Sequence, residues 1–221
     1  MAIPFHEEIP VKKYTQPALR WPAAFFSYVL HPVFVPVYVI AFLVYVHPSY
    51  FSGFSPKAKL QTVIIPVYNM VLLPLISILL MKGLGFIDSV FLRTRKDRII
   101  PYMASGIFFF WAYLVFKRQE MYPPVLPGFV LGVFLAASAA LIANIYFKIS
   151  MHAIGMGGWL GIFWVIYREN SMLMSWPLAA VILLTGIVCT SRFLISDHTQ
   201  KDVYLGLALG FACQLVAAFV N

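Results

Sequence analysis

The chain has 221 residues, 62% of them hydrophobic and only 11% charged, with 16 Lys and Arg against 8 Asp and Glu and a formal net charge of +8. A soluble domain carries roughly a quarter charged residues, so this composition excludes a soluble enzyme, a disordered chain and a disulfide scaffold. It also excludes an outer-membrane barrel, whose strands alternate polar and apolar residues. What remains is an all-α polytopic transmembrane bundle, in which the position of each charge carries information.

Residues 1–20 form a polar lead with Glu7, Glu8, Lys12, Lys13 and Arg20. The apolar run behind it is too long for the hydrophobic core of a signal peptide, which reads as a mature N-terminus. Residues 21–221 then read as a single transmembrane domain. Charge-free runs cover 21–56, 60–81, 99–116, 121–147, 149–167, 170–191 and 203–221. A spanning helix needs about 20 apolar residues, so each run predicts one span, seven in all. The first run is too short for two helices and a turn, and it ends in His47-Pro48-Ser49-Tyr50-Phe51-Ser52-Gly53, a loop pattern. The fifth holds Gly155, Gly157, Gly158 and Gly161, which weaken it as an independent helix. It is expected to be short or tilted against its neighbours.

Pro32, Pro36, Pro66, Pro74 and Pro177 lie inside these runs and predict kinks, which membrane helices tolerate. Gly128 and Gly132, and Gly206 and Gly210, are small-residue pairs that allow close helix approach, within the bundle in preference to a dimer seam. Cys189 and Cys213 fall inside spans and read as small buried hydrophobes.

Seven spans place the termini on opposite faces. The N-terminal face, face A, carries eleven of the 16 cations: Lys12, Lys13, Arg20, Lys82, Arg93, Arg95, Lys96, Arg98, Lys148, Arg192 and Lys201. The excess of positive charge makes face A cytoplasmic, unless some of these cations are there to bind an anion.

Three face-A segments hold unusual polar residues. Arg93-Thr94-Arg95-Lys96-Asp97-Arg98-Ile99-Ile100-Pro101 packs four cations into six residues. It suits a phosphate, although taken alone it reads first as an anchor to anionic lipid head groups. Lys148-Ile149-Ser150-Met151-His152 brings a Ser and a His to the edge of an apolar helix, where ionisable groups need partners and point to function, or to a structural His. Ser191-Arg192-Phe193-Leu194-Ile195-Ser196-Asp197-His198-Thr199-Gln200-Lys201-Asp202 joins the last two spans. On a helix His198 and Asp202 share one face, where the carboxylate can accept a hydrogen bond from a ring nitrogen. That contact fixes the tautomer and leaves the other nitrogen as nucleophile or base. Arg192 offers a planar fork of donors for phosphate oxygens. The alternative is a solvated loop.

Ser191-Arg192-x5-His198-x3-Asp202 resembles the third signature of the type 2 phosphatidic acid phosphatase superfamily, with its spacing complete. Ser150-x-His152 resembles the second signature, Pro-Ser-Gly-His, with Ile149 and Met151 in place of the Pro and the Gly. The first signature, Lys-x6-Arg-Pro, is altered: Phe91 stands seven residues before Arg98, and Pro101 follows Arg98 by three. Lys96, Arg93, Arg95 and Lys148 are neighbours that could replace the missing Lys. The resemblance covers roughly residues 60–221 and implies a six-helix core within the bundle.

By similarity, the resemblance implies a phosphohistidine mechanism. His198 attacks phosphorus and Asp202 orients it. His152 protonates the leaving lipid oxygen and then activates water. Ser150 and Arg192 hold phosphate oxygens, with Arg98 a further donor. Phosphoryl transfer is largely positioning and charge neutralisation, and guanidinium groups with a hydroxyl supply both. No metal or other cofactor is expected, since the sequence shows no carboxylate cluster suited to Mg²⁺. The expected partners are a lipid phosphate or pyrophosphate substrate and the bilayer, with no nucleic acid, in a multi-pass protein of the bacterial inner membrane. Two alternatives are a non-catalytic relative, serving as a membrane subunit or lipid-binding scaffold, and a transporter. The transporter reading rests on the multispan architecture alone, and no acidic residue lies within the runs to couple ions.

Overall fold

A computed structural model describes residues 17–92, 94–195 and 198–221. The described residues form eight helices: α1 Pro17–Val29, α2 Val35–Val46, α3 Pro56–Gly83, α4 Arg95–Lys117, α5 Val125–Tyr146, α6 Met151–Glu169, α7 Ser171–Ile195 and α8 Gln200–Val220. Helices α3, α4, α5, α7 and α8 are long and apolar enough to cross a membrane. The protein is a multi-pass helical membrane bundle, as its composition requires.

The first apolar run departs from the single span predicted for it. It forms two short helices, the first of 13 residues, joined by a turn at residues 30–34. Pro32 has no N–H to continue the ladder. The chain tightens there, with His31 N donating to Tyr28 O at 3.3 Å and Phe34 N to His31 O at 2.8 Å. Pro36 then starts α2, where its missing donor costs nothing. Helix α1 begins at Pro17, inside the stretch read as a polar lead. Other prolines relax the helices without breaking them. Pro66 and Pro74 flank a π-helical stretch at Val67–Leu72 within α3.

The glycine-rich α6 is 19 residues long and is not among the helices apolar enough to cross a membrane by themselves. Its glycines explain its place at the centre. Among the described residues, helices α6 and α8 make the most extensive helix–helix contact and run parallel. Gly206 faces Ser150 O near their starts, and Gly161 faces Gln214 further along. A Cβ on Gly157 would strike the Leu207 carbonyl, and one on Gly210 the Ile154 carbonyl. The two backbones therefore touch, and packing replaces the hydrophobic drive that lipid does not supply. Gly132 lies against the Gln214 amide and Gly128 against Asn221, so both small-residue pairs serve packing inside the molecule.

Helix α2 runs alongside α6 in the same direction. Val35 meets Gly155, Tyr38 lies 5.9 Å from Trp159, and Phe42 lies 4.7 Å from Phe163 between ring centroids. These pairings bring the end of α1 and the turn after it to the start of α6. That end of the bundle gathers the polar residues singled out above.

Candidate functional site

The extended segment Lys148-Ile149-Ser150, just before α6, ties the three polar regions together. His198 Nδ1 lies 3.1 Å from Lys148 O. Arg98 Nη1 donates to Ile149 O at 2.9 Å. Ser150 N donates to Asp202 O at 3.2 Å. Tight α6–α8 packing sets the last of these contacts, because it brings two helix N-termini side by side.

Arg98 is aimed by a well-capped helix start. Thr94 and Asp97 form a reciprocal capping box at the beginning of α4. Leu92 holds a positive φ of 49°, uncommon for a residue with a side chain and costing on the order of 1 kcal/mol. Its carbonyl accepts from Arg98 Nε at 2.9 Å. Arg95 donates to Ile145 O and Tyr146 O at the end of α5, so it serves helix docking. Lys96 is exposed, and Arg93 lies outside the described residues.

A cavity of about 660 Å³ opens at this end. Arg98, Lys148, His152, Arg192 and His198 all line it. Four of the six predicted site residues therefore converge: His198, His152, Arg192 and Arg98. Of the neighbours considered for the missing first-signature Lys, Lys148 is the one that lines the cavity among the described residues.

Asp202 and Ser150 are placed differently from the expectation. Helix α8 starts at Gln200, so His198 stands before it and not on its face. Asp202 is the third helical residue, and its Oδ2 accepts from Thr199 N and Thr199 Oγ1, each at 2.8 Å. The carboxylate is 4.0 Å from His198 Nδ1. The contact that orients the ring is the Lys148 carbonyl. Ser150 is fully buried and caps α6, its Oγ accepting from Ala153 N at 3.4 Å, and it does not line the cavity. In both cases a helix start claims the side chain, because its first N–H groups have no partner within the helix.

The ring states follow from their partners. A carbonyl can only accept, so His198 carries its proton on Nδ1 and has an unprotonated Nε2 when neutral. It is neutral: burial first, then Arg98, Arg192 and Lys148, hold its pKa down at about 3. His152 Nε2 donates to Ser27 O at 3.0 Å by the same reasoning, leaving Nδ1 as its acceptor.

Ser27 and His31 were not singled out in the sequence. His31 lines the cavity and packs edge-on against His152, with ring centroids 5.1 Å apart. A His beside a Pro inside a 36-residue charge-free stretch was the available signal, but the contact spans more than a hundred positions and depends on the turn at 30–34. Among the described residues, no group of three or more His, Cys, Asp or Glu is placed to hold a metal ion. Compared with models of known families, with curated proteins and with solved structures, the chain matches none of them.

Proposed function

We propose that the protein is an integral-membrane phosphatase that hydrolyses a lipid phosphomonoester or pyrophosphate through a phosphohistidine intermediate, in the bacterial inner membrane. The observation that carries this reading is the convergence of a neutral, backbone-oriented His198 with His152, Arg98, Arg192 and Lys148 on one cavity. His198 Nε2 bonds to phosphorus as the bond to the lipid oxygen breaks. His152, neutral in the free protein, takes up a proton on Nδ1 from solvent as the anionic phosphate binds beside it, and gives that proton to the leaving oxygen. Water then loses a proton to His152 and attacks phosphorus. The N–P bond breaks, releasing phosphate and restoring the ring. The cations neutralise the equatorial oxygens, where most of the catalytic effect in phosphoryl transfer arises.

A second reading has one observation in its favour. Ser150 and Asp202, two residues of the resembled signatures, serve as helix caps, as they would in a lipid-binding relative without turnover. One experiment separates the two. Purified protein is assayed for phosphate release from phosphatidic acid, phosphatidylglycerol phosphate and undecaprenyl pyrophosphate, beside His198→Ala. The enzyme reading predicts release from at least one lipid, lowered by about 10⁴-fold or more in the variant. Full release by His198→Ala would refute the mechanism. Binding without release from any lipid would favour the second reading.

A further inference from the structure

Below its cationic mouth the cavity continues into the bundle. On α4 its lining recurs at Arg98, Tyr102, Ser105 and Phe109, a spacing that keeps one helix face. At 1.5 Å per residue, these positions run about 16 Å into the membrane. On α5 the facing wall is Ala140, Ala137, Ala136, Val133 and Phe129. The three alanines lie near the mouth and keep the passage open. Phe129, with Phe109 opposite, narrows its deep end. Gln214 forms the floor there, its Nε2 donating to Phe129 O at 3.3 Å.

Tyr102 and Gln214 line this deeper part, and Tyr102 Oη and Gln214 Oε1 are each buried without a hydrogen-bond partner among the described residues. Tyr102 sits one helical turn below Arg98. Its side chain lines the cavity there. Leaving such a group unsatisfied costs on the order of 1–3 kcal/mol, so Tyr102 favours a ligand whose first atom below phosphorus is an oxygen. Gln214 is suited to end an apolar ligand, because its side chain fills the gap between α8 and α5, with its amide packed against Gly132.

We propose that this passage receives one hydrocarbon chain of the substrate, with Tyr102 contacting the oxygen that links chain to phosphate and Gln214 setting the chain length. The inference rests on the lipid-phosphatase reading and specifies its substrate. A cavity of about 660 Å³ lies within the range that holds one small-molecule ligand, which accommodates a head group and one chain. A second chain would lie outside, against the bilayer.

The test uses single-chain alkyl phosphates of increasing length for turnover and the matching alkyl phosphonates, which cannot be hydrolysed, for binding by thermal shift. Ala137→Phe and Val133→Phe each place a ring in the passage, and two positions guard against one variant failing to fold. Insertion of this bulk against a bound chain predicts a loss of about tenfold or more for long chains, with short chains held within about twofold. Equal loss at every length, or none, in a folded variant would overturn the inference. The phosphonate arm keeps the two ideas apart. Length-dependent binding without turnover would uphold the chain site and sink the phosphatase reading, whereas turnover that ignores chain length would do the reverse.

Discussion

At the end of the bundle where α6 begins, polar side chains converge on a cavity; at the end where it finishes, they bond to one another. Tyr50 donates to Glu169 Oε2 at 2.9 Å, and the His47 ring stacks on Tyr50 with centroids 4.4 Å apart. Lys117 Nζ donates to Asn221 Oδ1 at 3.0 Å, and Asn221 Nδ2 donates to Pro124 O at the same distance. Phe51, Phe54, Phe116 and Tyr122 fill the space beneath. Both ends hold a His and a Lys. What separates them is not residue type but direction. At the far end Tyr50, Lys117 and Asn221 close on local partners, and only His47 Nε2, among the groups named there, is buried without a hydrogen-bond partner among the described residues. At the near end two His rings are held by backbone carbonyls, from Lys148 and Ser27, at a cavity that three cations also line.

That contrast can be broken by substitution. His152→Ala is expected to slow phosphate release by about 10²–10⁴-fold, the range for losing a positioned acid–base group, with the fold kept as judged by melting in detergent. An unchanged rate would remove His152 from the chemistry. A smaller effect concerns pH and stability. His198 titrates at about 3 in the folded protein against an ordinary value of 6.5. Between those values the unfolded chain binds a proton that the native state does not, so stability falls as pH drops through this window. Above it the group makes no difference. Melting compared at neutral pH and near pH 4 should show a shallower acid decline for His198→Gln than for the wild type; equal declines would contradict a neutral buried ring. The smallest effect belongs to the far end. Tyr50→Phe removes one exposed hydrogen bond, so it should cost about 1 kcal/mol or less and leave phosphate release unchanged. A large loss of activity there would blur the distinction between the two ends.

Much of the bundle was legible from charge spacing. The runs at 60–81, 99–116, 121–147, 170–191 and 203–221 each overlap almost entirely with a helix long enough to span, because the lipid-facing stretch of such a helix excludes charge. The turn at 30–34 was hidden because a break in an apolar run changes neither its composition nor its charge. His31-Pro32 was the local trace of it. The site was legible in part. Segments far apart in sequence were expected on one face, and Arg98, His152, Arg192 and His198 do share a cavity. The roles of Asp202 and Ser150 were harder to foresee. Thr199-x-x-Asp202 is itself a capping pattern, and it competes with the His198–Asp202 pairing for the same carboxylate. The Lys148 carbonyl that orients His198 could not be read from any side-chain pattern, since every residue carries one. Its availability depends on an extended backbone at 148–150.

The proposed nucleophile is His198. The most direct measurement incubates the detergent-purified protein with a lipid phosphate, stops the reaction in alkali, under which phosphohistidine survives, and maps the modified peptide by mass spectrometry. The expected result is a phosphoryl group on His198, absent from His198→Ala. Phosphate release with the label on another residue, or with none on His198 at any time in the turnover, would contradict it.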